Sequence, residues 1–285
     1  MSRLLLGPLD EVHVEVARSP GATLFPVLHE VLGGARHGVP RRWREAVASV
    51  LPASADVVRP VFGPGYGWLP DGLALACDVR ATHMETVLSE LRDTNPEHLT
   101  DEVLRHYGDA PPRVWQRVLD DPGRFLAAYH EVASAAWRRL EPLWERADTL
   151  LGKETERVGS AVVSRNLDAV LTGLSSRVRF VEGALELPCE RDVLELAGRR
   201  LVLVPVASGT TPAMHNVDRD DVVWFSYPLP GLGRLGSPGR PPAPREDGLT
   251  QLLGGVRAAV LRSVQPPATV SELARVLQTG ASTIT

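Results

Sequence analysis

The sequence predicts a mostly helical α+β protein: a helical domain carrying a small antiparallel β-sheet, followed by a short helical C-terminal part. Three observations carry this reading. Apolar residues recur at helical spacing through most of residues 83–174, as in helices with one buried face. Between residues 178 and 228 the pattern changes to short apolar runs bounded by glycine and proline, which read as strands. Residues 228–247 then hold six prolines and four glycines, a composition that neither helix nor sheet tolerates. The expected organisation is a domain over 1–228, a linker over 229–247 and a separate segment over 248–285.

The bulk composition fits that layout. A chain of 285 residues, 44% hydrophobic and 23% charged, can bury a sizeable core. Its longest apolar run, Leu201–Ala207, is far too short to span a bilayer. The opening MSRLLLGPLDEVHVEV lacks the apolar stretch and cleavage site of a signal peptide. A cytoplasmic protein with no membrane partner is expected. Cys77 and Cys189 are far apart and in no CxxC spacing, so they read as small buried thiols rather than ligands or a disulfide. Charge is uneven. Residues 229–285 carry six arginines against three acidic residues, a net of +3, which leaves −7 of the overall −4 on residues 1–228. A basic tail on an acidic body points to a polyanionic partner for the tail.

Element by element, Val12, Val14 and Val16 alternate as in a half-buried strand over 9–18. Ser19-Pro20-Gly21 interrupts it, and Ala22–Leu32 reads as a helix ended by Gly33-Gly34. A helix over Arg41–Leu51 opens after Pro40. Further helices are expected over His83–Arg92, Pro96–Tyr107, Pro111–Asp120, Pro122–Arg139 and Glu141–Val163, the last merging toward Leu174. Arg177–Pro188 reads as strand, glycine turn, strand, and residues 199–207 and 221–228 as two more strands of an antiparallel meander.

Several motifs carry residue types capable of chemistry. His29-Glu30 and His130-Glu131 begin like HExxH, but Gly33 and Ser134 stand at the fifth positions. Neither pair supplies two zinc ligands on one helix face, and both are expected to be solvated or capping residues. His98 and His106 have no nearby cysteine. The glycines at 63, 65 and 67 are followed by WLPDG rather than a helix start, so a structural loop is expected instead of a phosphate cradle. Ser208, Thr210, Thr211 and His215 share one inter-strand stretch, read as a hairpin loop, since proximity in sequence makes no triad. The tryptophans at 43, 68, 115, 137, 144 and 224 read as core, with an aromatic effector pocket as the alternative. Glu145, Arg146, Glu154, Glu156 and Arg157 read as a solvated helix face. No catalytic residue, cofactor or metal is expected, and the protein is not expected to be an enzyme.

The C-terminal segment is more specific. Leu249, Leu252, Leu253, Val256, Val260 and Val264 form a helix stripe stopped by Pro266-Pro267. Thr269 and Glu272 have the spacing of a capping box, in which hydroxyl and carboxylate satisfy each other's backbone amides. Leu273, Ala274 and Leu277 give the next helix an apolar face, and small Ala274 allows close helix crossing. A turn at Thr279-Gly280 leads to ASTIT, with Ile284 as its one apolar plug. This is the layout of a helix-turn-helix, whose second helix presents its N-terminal residues to the major groove.

The stretch LLGGVRAAVLRSV…TVSELARVLQTGASTIT resembles the start of the winged helix of ArsR-type transcriptional regulators. LVLVPV…VVWFSYP and the linker after it more loosely resemble actinobacterial members with a long helical domain ahead of the winged helix. The resemblance covers residues 249–285 and departs from the family pattern at Gln278, where a glycine is usual. It implies DNA binding by a homodimer on a roughly palindromic site, with a possible small-molecule effector. Thr269, Glu272, Leu273, Ala274, Leu277 and Ile284 would hold the reading head together. Ser282, Thr283 and Thr285 would begin base or phosphate contacts, with Arg275 as a further phosphate contact. The cysteine-rich motif of metal-sensing members is not visible. The family's remaining recognition helix and β-wing have no counterpart by Thr285. The chain is therefore expected to be truncated within the recognition helix, and as given to bind DNA weakly. The alternatives are a small-molecule-binding or enzymatic domain whose C-terminal helices are only structural, and a protein–protein module.

Overall fold

The computed structural model describes residues 2–63, 68–70, 72–175, 177–187, 193–212 and 214–235. One long helix organises them. Helix α7 spans Pro122–Val163, 42 residues, or about 63 Å at 1.5 Å per residue. Asp121 caps its start by accepting from the Arg124 amide at 3.0 Å, and Pro122 occupies the first turn, where no amide bond is lost. Phe125, Tyr129, Val132, Ala136 and Leu140 recur along its buried face, the spacing of a stripe pressed against other helices.

The expected break near Leu140 is corrected: α7 continues through Pro142 without interruption. Pro142 and Arg138, whose carbonyl loses its helical partner, both lie on the exposed face, where water can meet that carbonyl. The expected merger toward Leu174 is corrected too. Arg165 takes a left-handed φ of 54°. Its amide bonds the Val162 carbonyl at 3.2 Å, while the Asn166 amide bonds that of Ala161 at 2.8 Å, a terminating pattern that usually employs glycine. Helix α8, Leu167–Thr172, starts separately.

Around the first half of α7 pack α1 (Pro20–Leu32), α2 (Arg41–Ala48), α3 (Ala55–Val58), α4 (Met84–Asp93), α5 (Pro96–Tyr107) and α6 (Arg113–Asp120). Their bounds follow their caps. Ser19 Oγ accepts from the Ala22 amide at 3.2 Å, and Gly33 closes α1 at φ 106°. Asn95 accepts from the Glu97 amide at 3.0 Å, with Pro96 in the first turn of α5. These are the local signals the sequence carries.

Among the described residues the strands form two mixed four-stranded sheets, not an antiparallel meander. In the first, β3 (Arg179–Val181), β4 (Ala184–Leu187), β1 (Ser2–Leu5) and β5 (Leu194–Glu195) lie in that order, with β1 and β5 parallel. The β3–β4 hairpin turns on Glu182 and Gly183, both with positive φ, as a two-residue primed turn requires. In the second, the order is β2 (Val14–Val16), β6 (Arg200–Val206), β8 (Val222–Pro228) and β7 (His215–Asn216). Here β2, β6 and β8 run parallel, and only β7 pairs antiparallel, with β8. The connection after β6 crosses to the far edge, descends as β7 and returns as β8.

The cause of the parallel pairing is burial on both faces. Val202, Val204, Val222 and Trp224 face the main helical core, while Leu201, Leu203, Val223, Phe225 and Tyr227 face a second core. That second core also takes Leu4 and Leu185 of the first sheet, Leu171 of α8 and Val158 of α7. Strands covered on both sides read as continuous apolar runs rather than alternation.

Beyond β8 the chain stays on this unit. Leu229 is buried and its amide bonds the Val206 carbonyl at 3.0 Å. A 3₁₀ turn follows over Leu232–Leu235. The chain divides there, and Gly236–Thr285 lies outside the described residues. Among the described residues no helix is long and apolar enough to cross a membrane.

Candidate functional site

The residues expected to touch DNA, Arg275, Ser282, Thr283 and Thr285, lie outside the described residues, as do Thr269, Glu272, Leu273, Ala274, Leu277 and Ile284. Within the described unit, one buried polar assembly sits at the end of α1. His29 and Glu30 leave the last turn of that helix, and Gly33-Gly34 reverses the chain so that His37 returns beside them. Gly34 is required there: a Cβ at this position would lie 1.9 Å from the His29 ring.

His29 Nδ1 and His37 Nε2 stand 2.7 Å apart. Both rings are buried and pack against Phe25, with Phe62 also edge-on to His29. The Glu30 carboxylate accepts from the amides of His37 at 2.6 Å and Val39 at 3.0 Å. Its other oxygen faces the Arg44 guanidinium at 3.5 Å. Burial, then the nearby charges of His29 and Arg177, lower the His37 pKa to about 4. Burial also lowers that of His29, partly offset by Glu30. Both rings are therefore neutral at pH 7 and share one hydrogen-bonding proton. The expectation that His29-Glu30 is solvated or capping is corrected, because α1 is covered along nearly its whole length.

The stretch after β6 closes over this assembly. Ser208 Oγ donates to the Thr23 carbonyl at 2.5 Å, and Thr23 Oγ1 accepts from the Ala207 amide at 3.3 Å. The amides of Thr210 and Thr211 donate to the carbonyls of Gly38 and His37. A Cβ on Gly209 would lie 2.6 Å from the His37 carbonyl oxygen. Ser208, Thr210 and Thr211 thus stitch two chain segments together. His215 lies in β7 at the sheet's far edge, so the stretch is a crossover rather than a hairpin loop.

A second buried cluster joins α7 to β8. Glu154 is 3% exposed. Its carboxylate accepts from Tyr227 Oη at 2.8 Å and from Arg157 at 2.8 and 2.7 Å. Burial, with the Glu154 charge adding to it, drives the Tyr227 pKa far up, so the phenol stays a donor. The solvated face that the sequence predicts for Glu154 is corrected by this burial. Its i,i+3 pairing with Arg157 is local and visible in sequence, but its burial beneath Tyr227 is not.

The other motifs disperse. His98 faces Glu102 at 3.8 Å, while His106 stacks on Trp68 with centroids 4.0 Å apart. His130 approaches Arg92 at 3.4 Å. Among the described residues no group of three potential metal ligands converges. Trp115, Trp137 and Trp224 are buried, and Trp43, Trp68 and Trp144 pack on the same core. The guanidiniums of Arg42 and Arg146 each lie over the Trp43 ring. Cys77 lies at the surface, correcting the expected burial, and Cys189 falls outside the described residues.

No family model, curated protein or solved structure matches the chain.

Proposed function

We propose that the protein is a DNA-binding transcriptional regulator whose N-terminal unit serves dimerisation, effector sensing or both. The observation that carries this reading is the run TVSELARVLQTGASTIT, with its capping box, small-residue crossing point and short polar side chains opening a second helix. The charge distribution supports it, since the basic segment is the one that holds this pattern. So does the position of the chain division at Leu235, which leaves the pattern outside the first unit. In this reading Ser282, Thr283, Thr285 and Arg275 meet DNA, and a two-fold dimer reads a two-fold site.

The test is selection from a randomised duplex pool by the natural protein, translated to the stop codon of its gene. The expected result is an enriched, two-fold-related sequence whose affinity falls steeply with salt. Arg275→Ala should weaken binding across all sequences and lower the salt slope by about one. Recovery of no preferred sequence, with binding absent at low salt, would overturn the reading.

A further inference from the structure

We propose that the cleft between the β1–β2 turn and the end of α7 binds a small apolar zwitterion, of the class of an aliphatic α-amino acid. The cleft has a volume of about 400 Å³, the size of a site for one small molecule. Leu9, Val12, Val162, Val163 and Leu167 line it. Val163 is 86% exposed and Val162 37% exposed, so two adjacent branched apolar side chains at this helix end are open to a ligand.

Two charges complete the cleft. Asp10 lines it from the turn in which the Glu11 amide bonds the Pro8 carbonyl at 3.0 Å. Arg165 lines it from the left-handed position that ends α7. Among the described residues neither side chain has an ion-pair partner. Arginine is a costly choice at Arg165, since glycine adopts that backbone without strain. Glycine there would therefore remove the side chain without straining the backbone.

The lining selects the ligand class. A fatty acid would satisfy Arg165 but meet the like charge of Asp10. An alkylamine would satisfy Asp10 but meet Arg165. A phosphate would bring a double negative charge beside a carboxylate and leave the valines wet. A molecule with a carboxylate, an ammonium and one aliphatic group satisfies all three features: Arg165 takes the carboxylate, Asp10 the ammonium, and the valines and Leu9 the aliphatic group. Binding at this cleft requires no DNA. Only its use as an effector site rests on the regulator reading.

Calorimetric titration of the full chain with L-leucine tests this, with 4-methylpentanoate and isoamylamine as analogues lacking one charge each. Leucine should bind saturably and about tenfold more tightly than either analogue. Arg165→Gly should weaken leucine binding about tenfold or more while its melting temperature stays level or rises, because glycine relieves the backbone. Asp10→Asn should weaken it similarly. No saturable binding up to about 10 mM leucine, equal binding of an analogue, or unchanged binding to Arg165→Gly would each overturn the proposal. A negative result here leaves the DNA selection untouched, and a failed selection leaves leucine binding measurable.

Discussion

His29 Nδ1 and His37 Nε2 approach to 2.7 Å inside the fold, which two protonated imidazoles could not do. The pair therefore makes stability depend on pH. Because the folded His37 pKa is about 4 against roughly 6.5 for the unfolded chain, the unfolded state binds more protons between those values. The contribution is fully present above about pH 6.5 and is lost as pH falls toward 4.

The expected loss from His37 across that window is about 3 kcal/mol, with His29 shifting in the same direction. Urea unfolding at pH 7 and about pH 4.5 measures it. His37→Gln should flatten the dependence relative to the wild type. An equally steep loss in the variant would place the acid sensitivity elsewhere.

Removing the phenol that donates to Glu154 should weaken the junction of α7 and β8. Tyr227→Phe leaves the carboxylate with Arg157 alone, at a cost of about 1–3 kcal/mol. A double-mutant cycle with Glu154→Gln, read by denaturant midpoint, should return a coupling of similar sign. Additive effects would show that the two side chains act independently.

Two glycines on helices should respond oppositely to alanine. At Gly21 a Cβ would lie 2.0 Å from the Leu75 carbonyl oxygen, backbone that cannot yield easily. Gly21→Ala should therefore cost about 3 kcal/mol or more. At Gly159 nothing lies within 4 Å, and alanine should stabilise the α7 interior by about 0.5–1 kcal/mol. Thermal unfolding of both variants checks the sign.

Pro142 interrupts the bonding of α7 on its exposed face. Pro142→Ala restores an amide donor to the Arg138 carbonyl and should raise stability by about 1–3 kcal/mol. A drop instead would mean that the packing of Leu143 and Leu140 depends on a bend at the proline.

Much of this architecture is written in short-range chemistry. Asn95-Pro96 and Tyr107-Gly108 bracket α5, Ser19 and Gly33 bracket α1, and Gly183 marks the hairpin. Each signal works within about four residues, the reach of a cap, a turn or a helical hydrogen bond. The apolar runs at 200–206 and 222–228 likewise announce strands, though not their direction. Parallel pairing depends on where the crossover lands and on both faces being covered, and those facts involve elements far apart in the chain. The same limit applies to the polar clusters. His29-Glu30 is legible as a pair, but its meaning comes from His37 returning around two glycines. Glu154 meets Tyr227 across 73 positions, and Asp10 and Arg165 share a cleft only because α7 ends beside the β1–β2 turn. Periodicity along the chain assigns residues to helix or strand, whereas burial and partnership arise from packing between distant segments. The tertiary structure therefore decided which charges are buried, which strands run parallel and where a ligand could sit.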